Sequence, residues 1–359
     1  MRKTIAVIAG DGVGSEIMAE ALKVLRLVER HFKHEFFVQE MLAGGAAFDA
    51  YGTHLPKRTL SVCESSDAIL FGAVGGPVSE IHTEKWKDAE KNVLLTLRKT
   101  FDLFANLRPI FASGKDIDFI IVRELVSGIY FGEHKEAEYR GLKEGSSAED
   151  AMRYSSFEIE RIARVAFSIA RDRERKRITS VDKANVLACS RLWRKVVEDV
   201  AKDFQEVSYE HMFVDNAAMQ IMKNPKQFDV LLTENMFGDI LSDEASVLAG
   251  SLGLLPSASM NEKKFGLFEP IHGSAQDIAG KDIVNPVGMI LSVALMLELS
   301  FSMKQEALCI KQAVFRVLKD GYGTPDCARE STTPLKTNEM GDRICNYLNT
   351  FFLEKSLLK

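Results

Sequence analysis

Cysteine is scarce and unpatterned. The five residues, Cys63, Cys189, Cys309, Cys327 and Cys345, are odd in number, widely spaced and without a C-x-x-C pair. That excludes a disulfide framework and a cysteine-ligated zinc site, and points to a reducing, cytoplasmic setting. Long apolar runs are missing too. None approaches the roughly 18 residues that span a bilayer, and the chain enters the pattern Ile5-Ala-Val-Ile-Ala9 at once, so neither a membrane nor a secretion signal is expected. There is no basic excess: 46 Lys and Arg against 51 Asp and Glu leave a net charge of -5, which offers no field to hold DNA or RNA. Internal repeats and low-complexity segments are also absent.

What remains is an ordinary globular composition, 46% hydrophobic and 27% charged over 359 residues, enough for two modest domains or one large α/β unit. Strand-length apolar runs alternate with helical periods. Ile5 to Ala9 is followed by Ile17, Ala21, Leu22, Leu25 and Val28, then by Ala68 to Phe71. Phe119 to Val122, Ile178 to Val181 and Asp229 to Leu232 read as further buried strands, with a helix marked by Ile159, Ile162, Ala163, Ala166 and Ile169 between the first two. Ligands gather at the carboxyl ends of such strands, which singles out Arg123, Lys183 and Glu234 to Asp239 by position. From Gly132 to Asp150 the chain is charged and rich in small residues (Glu133, Lys135, Glu136, Glu138, Arg140, Lys143, Glu144), as expected of a solvent-exposed excursion. The basic run Arg171 to Arg177 reads as the solvated C-terminal end of a helix rather than a nucleic-acid patch.

Three patterns carry chemistry. Gly10-Asp-Gly-Val-Gly14 joins a strand to a helix, but Ser15 stands where G-x-G-x-x-G requires glycine, and is expected to cap the helix. Asn235 to Asp243 sets Asp239 and Asp243 four residues apart on one helical face. Two such acids repel unless a hard cation such as Mg²⁺ sits between them, although an isolated pair is as readily two solvated surface acids. Arg98, Arg108 and Arg123 lie in strongly patterned stretches, and arginine grips planar carboxylates through two hydrogen bonds. Each alone is as readily structural.

Six motifs together carry a resemblance: Gly10 to Gly14, Leu103-Phe-Ala-Asn-Leu-Arg-Pro109, Gly128-Ile-Tyr-Phe-Gly132, Val181-Asp-Lys-Ala-Asn-Val186, Asn235 to Gly253, and Glu269-Pro-Ile-His-Gly-Ser-Ala275. The chain resembles the isocitrate and isopropylmalate dehydrogenase family of decarboxylating dehydrogenases nearly end to end. It departs from the family pattern at Ser15, where proline is usual, and at Ser127-Gly128, where a glycine pair is usual. Neither change removes a reacting group.

The resemblance implies an α/β fold of two domains around a central cleft that is not a true Rossmann fold. Residues 1–103 and 255–359 would form a discontinuous coenzyme domain, and 104–254 a dimerisation and substrate domain with an arm near 132–150. It implies that Arg98, Arg108 and Arg123 hold substrate carboxylates and that Asp215, Asp239 and Asp243 arrange Mg²⁺ or Mn²⁺. Lys183 would take the hydroxyl proton and Tyr130 reprotonate carbon. An unperturbed lysine is a poor base at neutral pH, so this role requires surroundings that loosen its proton. NAD would lie along Glu269, His272, Gly273, Ser274, Ala275, Asp277, Ile278 and Asn285. Asp277 would meet the ribose hydroxyls and repel a 2′-phosphate. Read alone, His272 and Asp277 are loop polar residues.

Substrate choice turns on Leu94 and Leu95, which would offer an isopropyl group an apolar surface where isocitrate-type relatives meet a carboxylate. The expected reaction is oxidative decarboxylation of 3-isopropylmalate to 4-methyl-2-oxopentanoate. Isocitrate, homoisocitrate and malate- or tartrate-like acids are alternatives, because both leucines can equally be core residues and Lys91 lies nearby. The family pattern also implies a homodimer with shared active sites, Lys183, Asn185 and Asp215 reaching the partner's site. A non-catalytic subunit on the same fold would have lost one of Tyr130, Lys183 or the three aspartates. All five are present.

Overall fold

The computed structural model describes residues 1–112, 116–139, 141–142, 145–327 and 333–357, with side chains up to Leu353. The chain opens on β1 (Arg2–Gly10), α1 (Gly14–Phe32), β2 (Glu35–Glu40), α2 (Gly45–Tyr51), α3 (Lys57–Ser65), β3 (Ala68–Ala73), α4 (Thr96–Thr100) and β4 (Ala105–Ala112). It continues through β5 (Ile117–Glu124), β6 (His134–Lys135), β7 (Glu149–Asp150), α5 (Ser156–Asp172), β8 (Arg177–Asp182), α6 (Ala188–Ala201), β9 (Ser208–Phe213) and α7 (Val214–Lys223). Then come β10 (Val230–Thr233), α8 (Asn235–Ala249), β11 (Pro256–Met260), β12 (Gly266–Pro270), α9 (Val287–Leu299), α10 (Lys304–Lys319) and α11 (Thr337–Leu357). Each strand and helix foreseen from apolar periodicity falls inside one of these elements, except that Asp229 lies just before β10.

Packing divides the chain into two compact units. One comprises Met1–Leu103, Arg108–Asp116 and Ser246–Lys359, the other Phe104–Leu107 and Ile117–Ala245. Residues 108–116 and 246–254 thus join the first unit rather than the second, where the sequence boundary of 104–254 had put them. Their neighbours explain this: the outer part of β4 runs beside β11, and the turn Leu252–Leu254 packs on α9.

Strands of the first unit follow the order β2-β1-β3-β12-β11-β4. β1 pairs in parallel with β2 and β3, and β12 in parallel with β3, whereas β11 and β12 form an antiparallel pair. That antiparallel insertion sets the sheet apart from an all-parallel dinucleotide fold. α9 is buried from Val287 through Leu297, which suits its apolar composition on every face. The β1–α1 turn depends on glycine at two points. Gly10 (φ +74°) and Gly12 (φ +57°) adopt left-handed backbone, and a Cβ would lie 1.8 Å from the Ala73 carbonyl oxygen at the first and 2.0 Å from that of Ser274 at the second. α1 starts at Gly14 after Val13, with no side-chain cap. Ser15 is therefore exposed within the first turn, not the capping residue that the sequence suggested.

In the second unit β5, β10, β8 and β9 pair in parallel, in the order β5-β10-β8-β9. β6 and β7 form a small antiparallel hairpin in an exposed stretch, with a hydrogen bond His134–Asp150 and an ion pair Lys135–Glu149, both 2.6 Å. This is the excursion anticipated for 132–150, although Arg140, Lys143 and Glu144 lie outside the described residues. The basic run after α5 does more than meet solvent. Arg173 binds Asp229 (2.5 Å), and Arg175 donates to the carbonyls of Asp118, Lys226 and Phe228.

Candidate active site

In the first unit, Arg98 lies in the middle of α4 with its side chain buried, and its Nη2 donates to Glu269 Oε1 at 3.2 Å. Its buried Nε has no hydrogen-bond partner. A fixed guanidinium with a donor to spare suits an incoming carboxylate. Arg108 is buried on β4. Lys91–Leu95 form a π-helical turn just before α4. Within it Leu94 is only 7% exposed and belongs to the core with Phe71, Val93 and Leu97, leaving Leu95 the more accessible of the pair.

The loop after β12 carries the residues expected to meet coenzyme. His272 Nδ1 lies 2.9 Å from the Gly273 carbonyl, its buried Nε2 has no partner, and burial holds its pKa below the usual histidine value. An orphaned imidazole nitrogen of this kind fits a polar ligand. Ser274 is buried with its carbonyl accepting from Val13 N–H at 2.9 Å, while Gly273 and Asp277 are exposed and Ala275 and Ile278 half-buried. Asn285 is otherwise engaged: Oδ1 accepts from Val287 N–H at the head of α9 and Nδ2 donates to Asp326 (3.2 Å).

In the second unit, Arg123 is the penultimate residue of β5, its guanidinium fixed on three sides. Nε (3.0 Å) and Nη2 (2.7 Å) donate to Asn235 Oδ1, and Nη1 donates to Asp239 Oδ1 at 2.5 Å. Tyr130 donates to the other oxygen, Asp239 Oδ2, at 3.0 Å, and its ring lies 5.8 Å from the Arg123 guanidinium. Burial first, then the Asp239 charge, pushes the Tyr130 hydroxyl up to about 12. It therefore remains a proton donor across the neutral range.

At the end of β8, Lys183 Nζ donates to Asp215 Oδ1 at 2.5 Å, and that bond holds the Asp215 carboxyl below the usual carboxylate range. Its backbone is pinned from two sides: Ser190 Oγ accepts from Lys183 N–H (3.0 Å), and buried Asp182 accepts from Ala184 N–H (2.8 Å) while paired with Arg194. Asn185, two residues after Lys183, is exposed.

Asp239 and Asp243 lie one turn apart on α8, the first half-buried and the second exposed. Their oxygens are the hard donors that Mg²⁺ or Mn²⁺ prefers, and Asp239 already attracts a cationic group, the Arg123 guanidinium. Among the described residues, no three His, Cys, Asp or Glu side chains gather as a metal set. Asp215 pairs with Lys183 and does not join the other two.

Behind these residues lies a supporting layer, of which the sequence had singled out Glu234 and Asn235 by position but not Glu124 or Tyr154. Asn235 fixes Arg123, donates to the Ser127 carbonyl (2.9 Å), and sends its N–H to the Tyr154 hydroxyl (2.9 Å). Glu234 accepts from Phe237 and Met236 N–H at the start of α8 and from Tyr154. Glu124, fully buried, accepts from Val126 and Ser127 N–H. The available signal for Glu124 was position: it is the last residue of the buried strand β5, as Glu234 is the first after β10.

Residues 4–344 match the family model described as isocitrate/isopropylmalate dehydrogenase. A 3-isopropylmalate dehydrogenase of Helicobacter hepaticus is 52% identical over 358 residues, covering 96% of this chain and 99% of that protein. Another of that name, from Geobacillus kaustophilus, is 50% identical over 359 residues, covering 95% and 94%. The crystal structure of isocitrate dehydrogenase from Methylococcus capsulatus superposes with a TM-score of 0.86 at 35% identity, covering 96% of this chain and 99% of that one. A β-decarboxylating dehydrogenase from Thermococcus kodakarensis, in its apo form, gives a TM-score of 0.80 at 34% identity over 97% and 96%.

Proposed function

The chain belongs to the isocitrate/isopropylmalate dehydrogenase family, and from that premise we propose that it oxidises and decarboxylates 3-isopropylmalate. The products are 4-methyl-2-oxopentanoate, CO₂ and NADH, a step of leucine synthesis in the cytoplasm. The observation that carries this reading is its likeness, over nearly the whole length of both chains, to relatives named for that reaction.

Arg98, Arg108 and Arg123 hold the two carboxylates of the substrate, and Leu95, with the edge of Leu94, meets its isopropyl group. Asp239 and Asp243, with Asp215 of a second subunit, hold Mg²⁺ or Mn²⁺. When bound, the cation supplies Lewis acidity to the hydroxyl and later carbonyl oxygen, and NAD supplies the hydride acceptor. Lys183 takes the hydroxyl proton as the C2 hydride leaves. Loss of the C3 carboxylate as CO₂ leaves an enolate, and Tyr130 supplies the proton that C3 requires. Glu269, His272 to Ala275, Asp277, Ile278 and Asn285 frame the coenzyme, Asp277 favouring NAD over NADP by charge.

The protein works as a homodimer in which Lys183, Asn185 and Asp215 serve the partner's site. Exposed apolar side chains on α7 (Met219, Met222) and α8 (Ile240, Val247) support a subunit contact on this unit. Arg123 Nη1 donates to Asp239 Oδ1 in the structure, so a cation held by Asp239 would compete with the guanidinium for that carboxylate.

NADH formation is the test, with 3-isopropylmalate, isocitrate and malate compared in the presence and absence of Mg²⁺ or Mn²⁺. The expected result is metal-dependent turnover with 3-isopropylmalate favoured about a hundredfold or more in kcat/KM. Turnover of isocitrate without turnover of 3-isopropylmalate overturns the reading.

A further inference from the structure

We propose that Glu16 is a positioning residue for the coenzyme loop, an assignment that rests on the NAD site proposed above. Glu16 lies in the first turn of α1, where an acid is already favoured by the helix dipole, yet its carboxylate is spent on another segment. Oε1 accepts from Gly280 N–H at 2.6 Å and Oε2 from Asp282 N–H at 3.1 Å. Both oxygens thus bind backbone at the far end of the loop that carries Asp277.

The near end of the same loop is held from the same turn. Val13 N–H donates to the Ser274 carbonyl, and Gly12 lets that carbonyl come so close that any Cβ would collide with it. Between the ends, Gln276 Nε2 donates to the Gly75 carbonyl at 2.7 Å, and Gly75 N–H is in turn fixed by buried Asp11 at 3.0 Å. Asp11 also accepts from Gly45 and Ala46 N–H, so the frame behind the loop is rigid.

Backbone conformation supplies an independent observation. Two non-glycine residues of the loop have left-handed backbone, Ala275 (φ +38°) and Asp282 (φ +55°), one beside each clamp. A conformation of that kind persists only where its surroundings over-determine it. Glu16 and Val13 therefore hold the stretch 274–282 in a shape it would not keep alone, with Asp277 to Ala279 presented between fixed ends. Pre-ordering the loop spares the coenzyme that cost on binding. Because α1 is anchored by Ile17, Ala21, Val24 and Val28, and Asp282 still accepts from Thr337 and Asn338 N–H, removing the Glu16 carboxylate loosens the loop at Gly280 and the Asp282 N–H and leaves the helix packed.

The test uses the full-length protein with Glu16→Ala and Glu16→Gln, the latter keeping one acceptor oxygen. Two measurements need no turnover: amide hydrogen exchange without coenzyme, and NADH affinity by fluorescence. Glu16→Ala should speed exchange at Gly280 and Asp282 and weaken NADH binding, each by about tenfold, with Glu16→Gln between it and wild type. In steady state the KM for NAD rises in step, while kcat at saturating NAD and the KM for the hydroxy acid stay near wild type. Unchanged NADH affinity with faster exchange overturns the proposal, as does an equal loss in every kinetic constant. If Glu16→Ala does not fold, Glu16→Gln carries the same comparison. Wild-type protein that binds no NADH overturns both this proposal and the NAD reading. Wild-type binding that the variants leave intact overturns this one alone.

Discussion

Glu124 follows Arg123 at the end of β5 and is wholly shielded from water. Burial pushes its carboxyl up from 4.5 to about 7, against the pull of the N–H groups of Val126 and Ser127 that it accepts. In the unfolded chain the same group titrates near its ordinary value, so the folded state keeps a proton that the unfolded state has lost. The stability this contributes is full below the ordinary value and disappears as pH rises through about 7. Glu124→Gln removes the titration. Melting followed by fluorimetry should show wild type losing roughly several degrees relative to the variant between pH 5 and pH 8. Parallel pH curves for the two proteins would show that Glu124 does not titrate in this window. At this scale the sequence identified Arg123, Tyr130 and Asp239 singly through the family pattern. It could not show that they bind one another, because a hydrogen-bond partner 116 residues away leaves no local mark.

Elements were far more legible, since periodicity is local. α5 shows both the signal and its limit. Its buried face, Ile159, Ile162, Ala163 and Ala166, was readable from spacing alone. Its start is a capping box in which Ser155 Oγ accepts from Glu158 N–H and Glu158 accepts from Ser155 N–H (2.6 Å). Glu158 also accepts from Ser127 Oγ at 2.7 Å, which ties the helix to the loop behind Arg123. Ser155→Ala should therefore cost about 1 to 2 kcal/mol in urea unfolding, the upper part of the range for a lost cap. A change below a few tenths of a kcal/mol would mean that the Ser127 contact holds Glu158 unaided. The Ser15 expectation failed for a related reason. A cap depends on the backbone of the preceding turn, and here Gly12 and Val13 turn the chain into the helix before Ser15 is reached. Leu94 shows the same limit, since a leucine at the end of an apolar period is readable as buried but not as core rather than ligand surface.

For the whole molecule, the decisive matter is which chain completes which site. No three candidate metal ligands gather among the described residues, and Asp215 stands with Lys183 rather than with Asp239 and Asp243. Under the proposed sharing, each site takes Arg123, Tyr130, Asp239 and Asp243 from one subunit and Lys183 and Asp215 from the other. Lys183→Met and Asp239→Asn homodimers then each lack a group in both sites and should be nearly inactive. A heterodimer of the two variants, isolated by two affinity tags after co-expression, concentrates both lesions in one site and leaves the other whole. Its specific activity should be about half that of wild type, as the two-fold symmetry of the dimer requires. If Lys183 instead served its own chain, every site in the mixture would carry one lesion and the heterodimer would be as inactive as its parents. The comparison separates the two arrangements by presence or absence of turnover, and metal dependence of the recovered activity assigns it to the reconstituted site.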